Sequence, residues 1–117
     1  MATKIKVLGQ EIPSADTDTT LYTVPAANST IASTLQVCNQ ANSDAKFRIA
    51  VRPAGASIAT KHYLLYDAVI PANDGISLTL GLTLAATDVV TVRANTASVS
   101  FNIFGSEIYL NYKNTVF

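Results

Sequence analysis

Apolar and polar residues alternate with a period of two along most of this chain. The longest such run spans residues 76–92. There Ile76, Leu78, Leu80, Leu82 and Leu84 fall at every second position, with Ser77, Thr79, Gly81 and Thr83 between them. In a strand this spacing puts one set of side chains on each face, so one face is apolar and the other small and polar. Residues 85–88 interrupt the run, and residues 89–92 resume it with β-branched side chains. Strand, short turn and strand together predict a hairpin.

The same period recurs on either side. Residues 3–8 predict a first strand, with Ile5 and Val7 opposite Lys4 and Lys6. The lysines suit an edge strand, where charge discourages further pairing. Residues 9–18 are polar, contain Pro13 and predict a loop. Residues 19–24 form a second strand, stopped by Pro25. Residues 30–38 form a third, with Ile31, Leu35 and Val37 sharing one face, Ser33 between them, and Ala32, Thr34, Gln36 and Cys38 on the other. In the fourth, residues 45–52, Phe47, Ile49 and Val51 point inward. Lys46, Arg48 and Arg52 point outward, with Ala50 among them. Residues 62–70 alternate less cleanly and predict a strand buried on both sides, one of them at a subunit contact. In residues 98–104, Val99, Phe101 and Ile103 share a face. Gly105 then allows a bend, and the tail sets Ile108, Leu110 and Tyr112 against Tyr109 and Asn111.

Turn-forming clusters separate these runs, of which PANDG at residues 71–75 is the strongest. No 3.6-residue apolar stripe exceeds two turns. About eight strands and a strand-like tail predict an all-β, single-domain antiparallel β-sandwich, of jelly-roll or immunoglobulin-like order. Residues 1–108 are the expected sandwich and residues 109–117 a C-terminal extended arm. Its Tyr109, Leu110, Tyr112, Val116 and Phe117 are costly to leave in water, so the arm either adds a last strand or reaches a neighbouring subunit.

Composition adds a second theme. Only 14% of the 117 residues are charged while 49% are hydrophobic, and eight basic residues balance eight acidic ones. A surface short of charge is covered by Ser, Thr, Asn and Ala, or by other protein. A net charge of zero argues against a nucleic-acid partner, and Lys46, Arg48 and Arg52 are too few for such a patch. They predict a solvated face or ion pairs with a neighbouring subunit. No apolar run reaches the length of a membrane-spanning helix, and no secretory signal pattern opens the chain, so synthesis in a reducing cytoplasm fits. With one cysteine, Cys38, no internal disulfide forms. His62 is the single histidine and has no nucleophile elbow near it, which reads as an ordinary strand-end residue and not as part of a triad. One histidine and one cysteine do not make a zinc site. Asp16 and Asp18 lack the rest of a calcium loop, and Asp44, Asp74 and Asp88 sit where turns use carboxylates. No catalytic, cofactor-binding or metal-binding set emerges, and the expectation is a protein that is not an enzyme.

Five segments carry a family likeness: LYTVPAANSTIASTLQVCNQ, FRIAVRPAGA, KHYLLYD, LTLGLTLAATDVVTVRA and VSFNIFGSEI. Together they cover nearly the whole chain from Leu21 to Ile108, and the tail beyond is outside the match. They resemble small virion proteins of tailed bacteriophages, particularly phages of cyanobacteria. A free-standing domain of this size is similar to the cement, or decoration, proteins of phage capsids. The resemblance implies a homotrimer on the capsid exterior that clamps major capsid protein subunits, without nucleic acid, membrane or cofactor. A tail, baseplate or fibre component is the first alternative, and a receptor- or carbohydrate-binding module using Tyr63, Tyr66, Tyr109 and Tyr112 is the second.

Overall fold

The computed structural model describes residues 2–109, and these form two antiparallel sheets. In chain order the strands are β1 (Ala2–Glu11), β2 (Thr19–Thr23), β3 (Asn28–Asn39), β4 (Ala45–Arg52), β5 (Tyr63–Ile70), β6 (Gly75–Leu78), β7 (Leu82–Leu84), β8 (Val89–Ala94) and β9 (Val99–Tyr109). Two short 3-10 turns, Pro53–Gly55 and Thr60–His62, join β4 to β5. The first sheet runs β1-β9-β3-β6, with β7 also on β3; the second runs β2-β8-β4-β5.

The pairings are nested. β1 pairs with β9, β2 with β8, β3 with both β6 and β7, and β4 with β5. Taking β6 and β7 as one interrupted strand, the chain is a long antiparallel ribbon whose four rungs fall alternately in the two sheets. That is jelly-roll connectivity. An immunoglobulin-like order would pair its first two strands within one sheet, whereas β1 and β2 here lie in different sheets.

The core lies between the sheets, where Leu35, Val37, Phe101 and Ile103 of the first meet Phe47, Ile49, Val90 and Val92 of the second. The Phe47 and Phe101 rings meet edge to face with centroids 6.1 Å apart. Side chains this deeply buried contribute roughly 1.5–3 kcal/mol each. Alternation predicted Phe47, Ile49, Val99, Phe101 and Ile103 correctly because no irregularity interrupts those stretches on their own strands.

Four expectations change. The hairpin predicted at residues 76–92 does not form: β7 belongs to the first sheet and β8 to the second, so residues 85–88 arch between sheets. The leucine row is also broken at residues 79–81, where Gly81 has φ 61° and Leu80 turns outward. Ile31 does not share a face with Leu35 and Val37. A β-bulge between Ala32 and Thr34 switches the phase of β3, so Thr30 and Ala32 point inward and Ile31 points out. β5 is not buried on both sides but is the edge of its sheet, with Leu64, Tyr66 and Val69 exposed. Its irregular pattern comes from a bulge near Asp67, whose φ is 54°. Finally, Gly105 is no bend, because β9 runs straight through it. A Cβ there would lie 2.1 Å from the Ile31 carbonyl oxygen, so only glycine lets β3 approach this closely.

Candidate interaction surfaces

The two sheets present very different outer faces. On the second sheet, Lys46, Arg48 and Arg52 project from the outward side of β4, as the alternation predicts. β8 brings Arg93 directly opposite Arg48. The bulge in β5 swings Asp67 and Tyr66 onto the same face. Arg48 Nε donates to Asp67 Oδ1 at 2.7 Å and Nη2 to Oδ2 at 3.4 Å. Its guanidinium also lies 4.1 Å from the Tyr66 ring centroid and 5.9 Å from that of Tyr63. The two tyrosine rings meet edge to face at 4.9 Å. The hydrogen bond from Arg48 holds the Asp67 carboxyl below the usual aspartate range, and Asp67 in turn raises Arg48 further.

Other cations on this face are engaged too. Arg93 reaches Asp18 at 3.6 Å and Asp16 at 4.0 Å. Arg52 donates to Thr91 Oγ1 at 3.0 Å and to the carbonyls of Gly55 and Ala56, which fixes the 3-10 turn beneath it. The face is therefore of mixed sign, with Arg48, Arg52 and Arg93 each engaged from within the chain. Its tyrosines come from β5, so reading β4 alone reveals no aromatics beside the arginines. Arg48 covers one face of Tyr66, which removes that ring face from use as a sugar-stacking platform.

The outer face of the first sheet is the opposite. Inward positions on β9 are Val99, Phe101, Ile103, Gly105 and Glu107, so Ser100, Asn102, Phe104, Ser106 and Ile108 look outward. Register then places Thr3, Ile5 and Val7 of β1 and Ser29, Ile31, Thr34 and Gln36 of β3 on that face. Gln10 of β1 and Cys38 of β3, opposite Asn102 and Ser100, belong to it too, as do Ser77 of β6 and Thr83 of β7. Among the described residues no Lys, Arg, Asp or Glu stands there. Ile5 is 87% exposed, Val7 47% and Ile31 43%, while Phe104 and Ile108 are half-buried. Charge depletion with exposed aliphatic side chains marks the core of protein interfaces. Sequence reading could not find this face, because it joins residues from five separated strands and depends on the bulge that turns Ile31 outward.

One buried polar cluster was also missed. Glu107 lies on the core face of β9, two positions from Gly105 and in phase with Phe101 and Ile103. The Tyr22 hydroxyl donates to Glu107 Oε2 at 2.5 Å and lies 2.8 Å from Thr30 Oγ1. Lys6 Nζ approaches Glu107 Oε1 at 3.4 Å. Burial, together with the bond to Glu107, pushes the Tyr22 phenol well above its ordinary value. This network ties β2 in one sheet to β9, β3 and β1 in the other. Its sequence signal was the unbroken alternation through Gly105.

The remaining candidates behave as structural groups. His62 Nδ1 accepts from the Ala59 backbone N–H at 3.0 Å at the end of a 3-10 turn. Asp44, Asp74 and Asp88 accept backbone N–H groups in turns, as expected from their positions. Cys38 is half-buried on β3. Among the described residues no group of His, Cys, Asp and Glu is placed to hold a metal ion. Of the predicted arm, Tyr109 lies within β9, paired with Ala2 and Asn28. Leu110, Tyr112, Val116 and Phe117 lie outside the described residues. Comparison with protein-family models, with curated proteins and with solved structures finds no match.

Proposed function

We propose that this protein is a structural component of a tailed-phage virion, a cement protein that decorates the capsid exterior and stabilises the shell by bridging major capsid subunits. The observation that carries the reading is the polarity of the sandwich. One sheet presents an uncharged face with exposed Ile5, Val7 and Ile31, and the other presents paired charges to solvent. A rigid jelly roll with such a face suits packing within an assembly, and the family likeness of the Leu21–Ile108 segments supports the particular assembly. Binding of this kind stabilises a shell by mass action, since it favours only the assembled state.

The test is to separate full heads from tails of virions carrying the protein and to quantify it in each by mass spectrometry. Hundreds of copies per head are expected. Recovery only with the tails, at tens of copies, replaces the reading by that of a tail, baseplate or fibre component.

A further inference from the structure

We propose that the uncharged outer face of the first sheet packs against the same face of a second copy, about a twofold axis running along the strands between β9 and β3. This shares with the capsid reading only the uncharged face itself, and it puts a twofold pair in place of the threefold association that the family likeness implies.

The argument is one of shape. Across the sheet one row reads Ile5, Ser106, Ile31, Thr83, which is large, small, large, small. On either side of it β9 and β3 pair Phe104 with Thr34 and Ile108 with Ser29, again a large residue beside a small one. A twofold axis between β9 and β3 exchanges these two strands. Each large side chain then faces a small one: Ile31 over Ser106, Ile5 over Thr83, Phe104 over Thr34, and Ile108 over Ser29. Further along, Asn102 comes to face Gln36, so an amide meets an amide. The axis also lays β1 over the β6–β7 edge, so the whole sheet is covered.

Charge and area agree. The face carries no charged residue among those described, so a copy meets no like charge on itself. The equivalent axis on the other sheet would set Arg48 against Arg93 of the second copy. Two sheets packed in this way lie about 10 Å apart with their strands nearly aligned, as in a sandwich core. Four strand spacings by the length of β9 give about 700 Å² per copy. That approaches the roughly 800 Å² per partner of a standard stable interface.

The experiment is sedimentation velocity and light scattering on the purified full chain, with Ile5→Lys, Ile31→Lys and a control, Val69→Glu, on the opposite sheet beside Lys46. Ile5 is 87% exposed, so its replacement leaves the fold intact even if Ile31→Lys does not. Circular dichroism checks each variant. The wild type and Val69→Glu are expected at twice the 12.4 kDa chain mass. Each lysine variant is expected to weaken the association at least about 100-fold, since a charge enters an apolar contact. A wild type that stays monomeric up to about 0.1 mM overturns the proposal, as does a dimer indifferent to both lysines. A mass of three chains also overturns it, because a threefold ring joins unlike surfaces and does not pair this face with itself.

Discussion

Removing the Tyr22 hydroxyl tests whether the buried cluster holds the two sheets together. In Tyr22→Phe the ring stays in the core and only the oxygen goes. That oxygen donates to Glu107 at 2.5 Å and meets Thr30 Oγ1 at 2.8 Å, so its loss leaves a buried carboxylate with Lys6 at 3.4 Å and deprives the Thr30 hydroxyl of this bond. A hydrogen bond to a charged group contributes roughly 1.5–3 kcal/mol, and an orphaned buried hydroxyl adds to the cost. The expected loss is about 2–3 kcal/mol. For a chain of this length, unfolding entropy near 2 cal/mol/K per residue converts that to a Tm drop of about 8–12 °C. Urea titration followed by circular dichroism gives the free energy directly. The double variant Tyr22→Phe/Glu107→Gln should lose much less than the sum of its single variants, since both remove the same bond. A loss below about 0.5 kcal/mol, or strict additivity, refutes the argument that this bond couples the sheets.

The same cluster predicts an alkaline limb. Because the Tyr22 pKa is raised in the fold, its contribution is fully present below the unfolded value of about 10 and is lost as pH rises beyond it. The stability of the wild type should therefore fall toward that of Tyr22→Phe between pH 10 and 12, measured by urea midpoints. Asp67 has the opposite sign. Its pKa is lowered by Arg48, so its contribution is present above about pH 4 and is lost as pH falls through the folded value. Asp67→Asn, which tolerates the left-handed backbone there, should lower the urea midpoint at neutral pH, and the difference from the wild type should shrink as pH falls below about 4. Gly105→Ala should cost about 3 kcal/mol by forcing β3 from β9. Gly81→Ala, with open space around its Cβ position, should cost only the left-handed penalty of about 1 kcal/mol. Comparable urea midpoints for the two glycine variants would contradict the packing account of Gly105.

How much of this the sequence revealed depended on where the strands are regular. Phe47 and Ile49 on β4, and Val99, Phe101 and Ile103 on β9, alternate without interruption, and their burial was legible residue by residue. Ile31 was misread because a bulge adds one residue, and every side chain beyond it changes face. The Ile76–Leu84 row was recognised as strand. Alternation says nothing about which sheet a strand joins, however, and the arch between β7 and β8 looked like a hairpin turn. β5 looked buried on both sides because its bulge brings Tyr66 and Asp67 to one face, whereas the sheet order makes it an edge. Lys46, Arg48 and Arg52 were placed correctly as a row, but their partners Asp67, Asp16, Asp18 and Tyr66 come from elsewhere in the chain. The uncharged face needed all of this at once: strand order, register and the bulge that exposes Ile31. Glu107 was legible in phase and overlooked because Gly105 reads as a breaker, when here it marks a close approach of two strands.

The measurement that bears most directly on the proposed function is a cryo-electron microscopy reconstruction of the phage head from virions that contain the protein. The account predicts a two-sheet domain of the size of residues 2–109 at regular lattice positions on the outer surface of the shell, bridging neighbouring capsid subunits. A bare shell from such virions, with the protein found only in the tail, would contradict it.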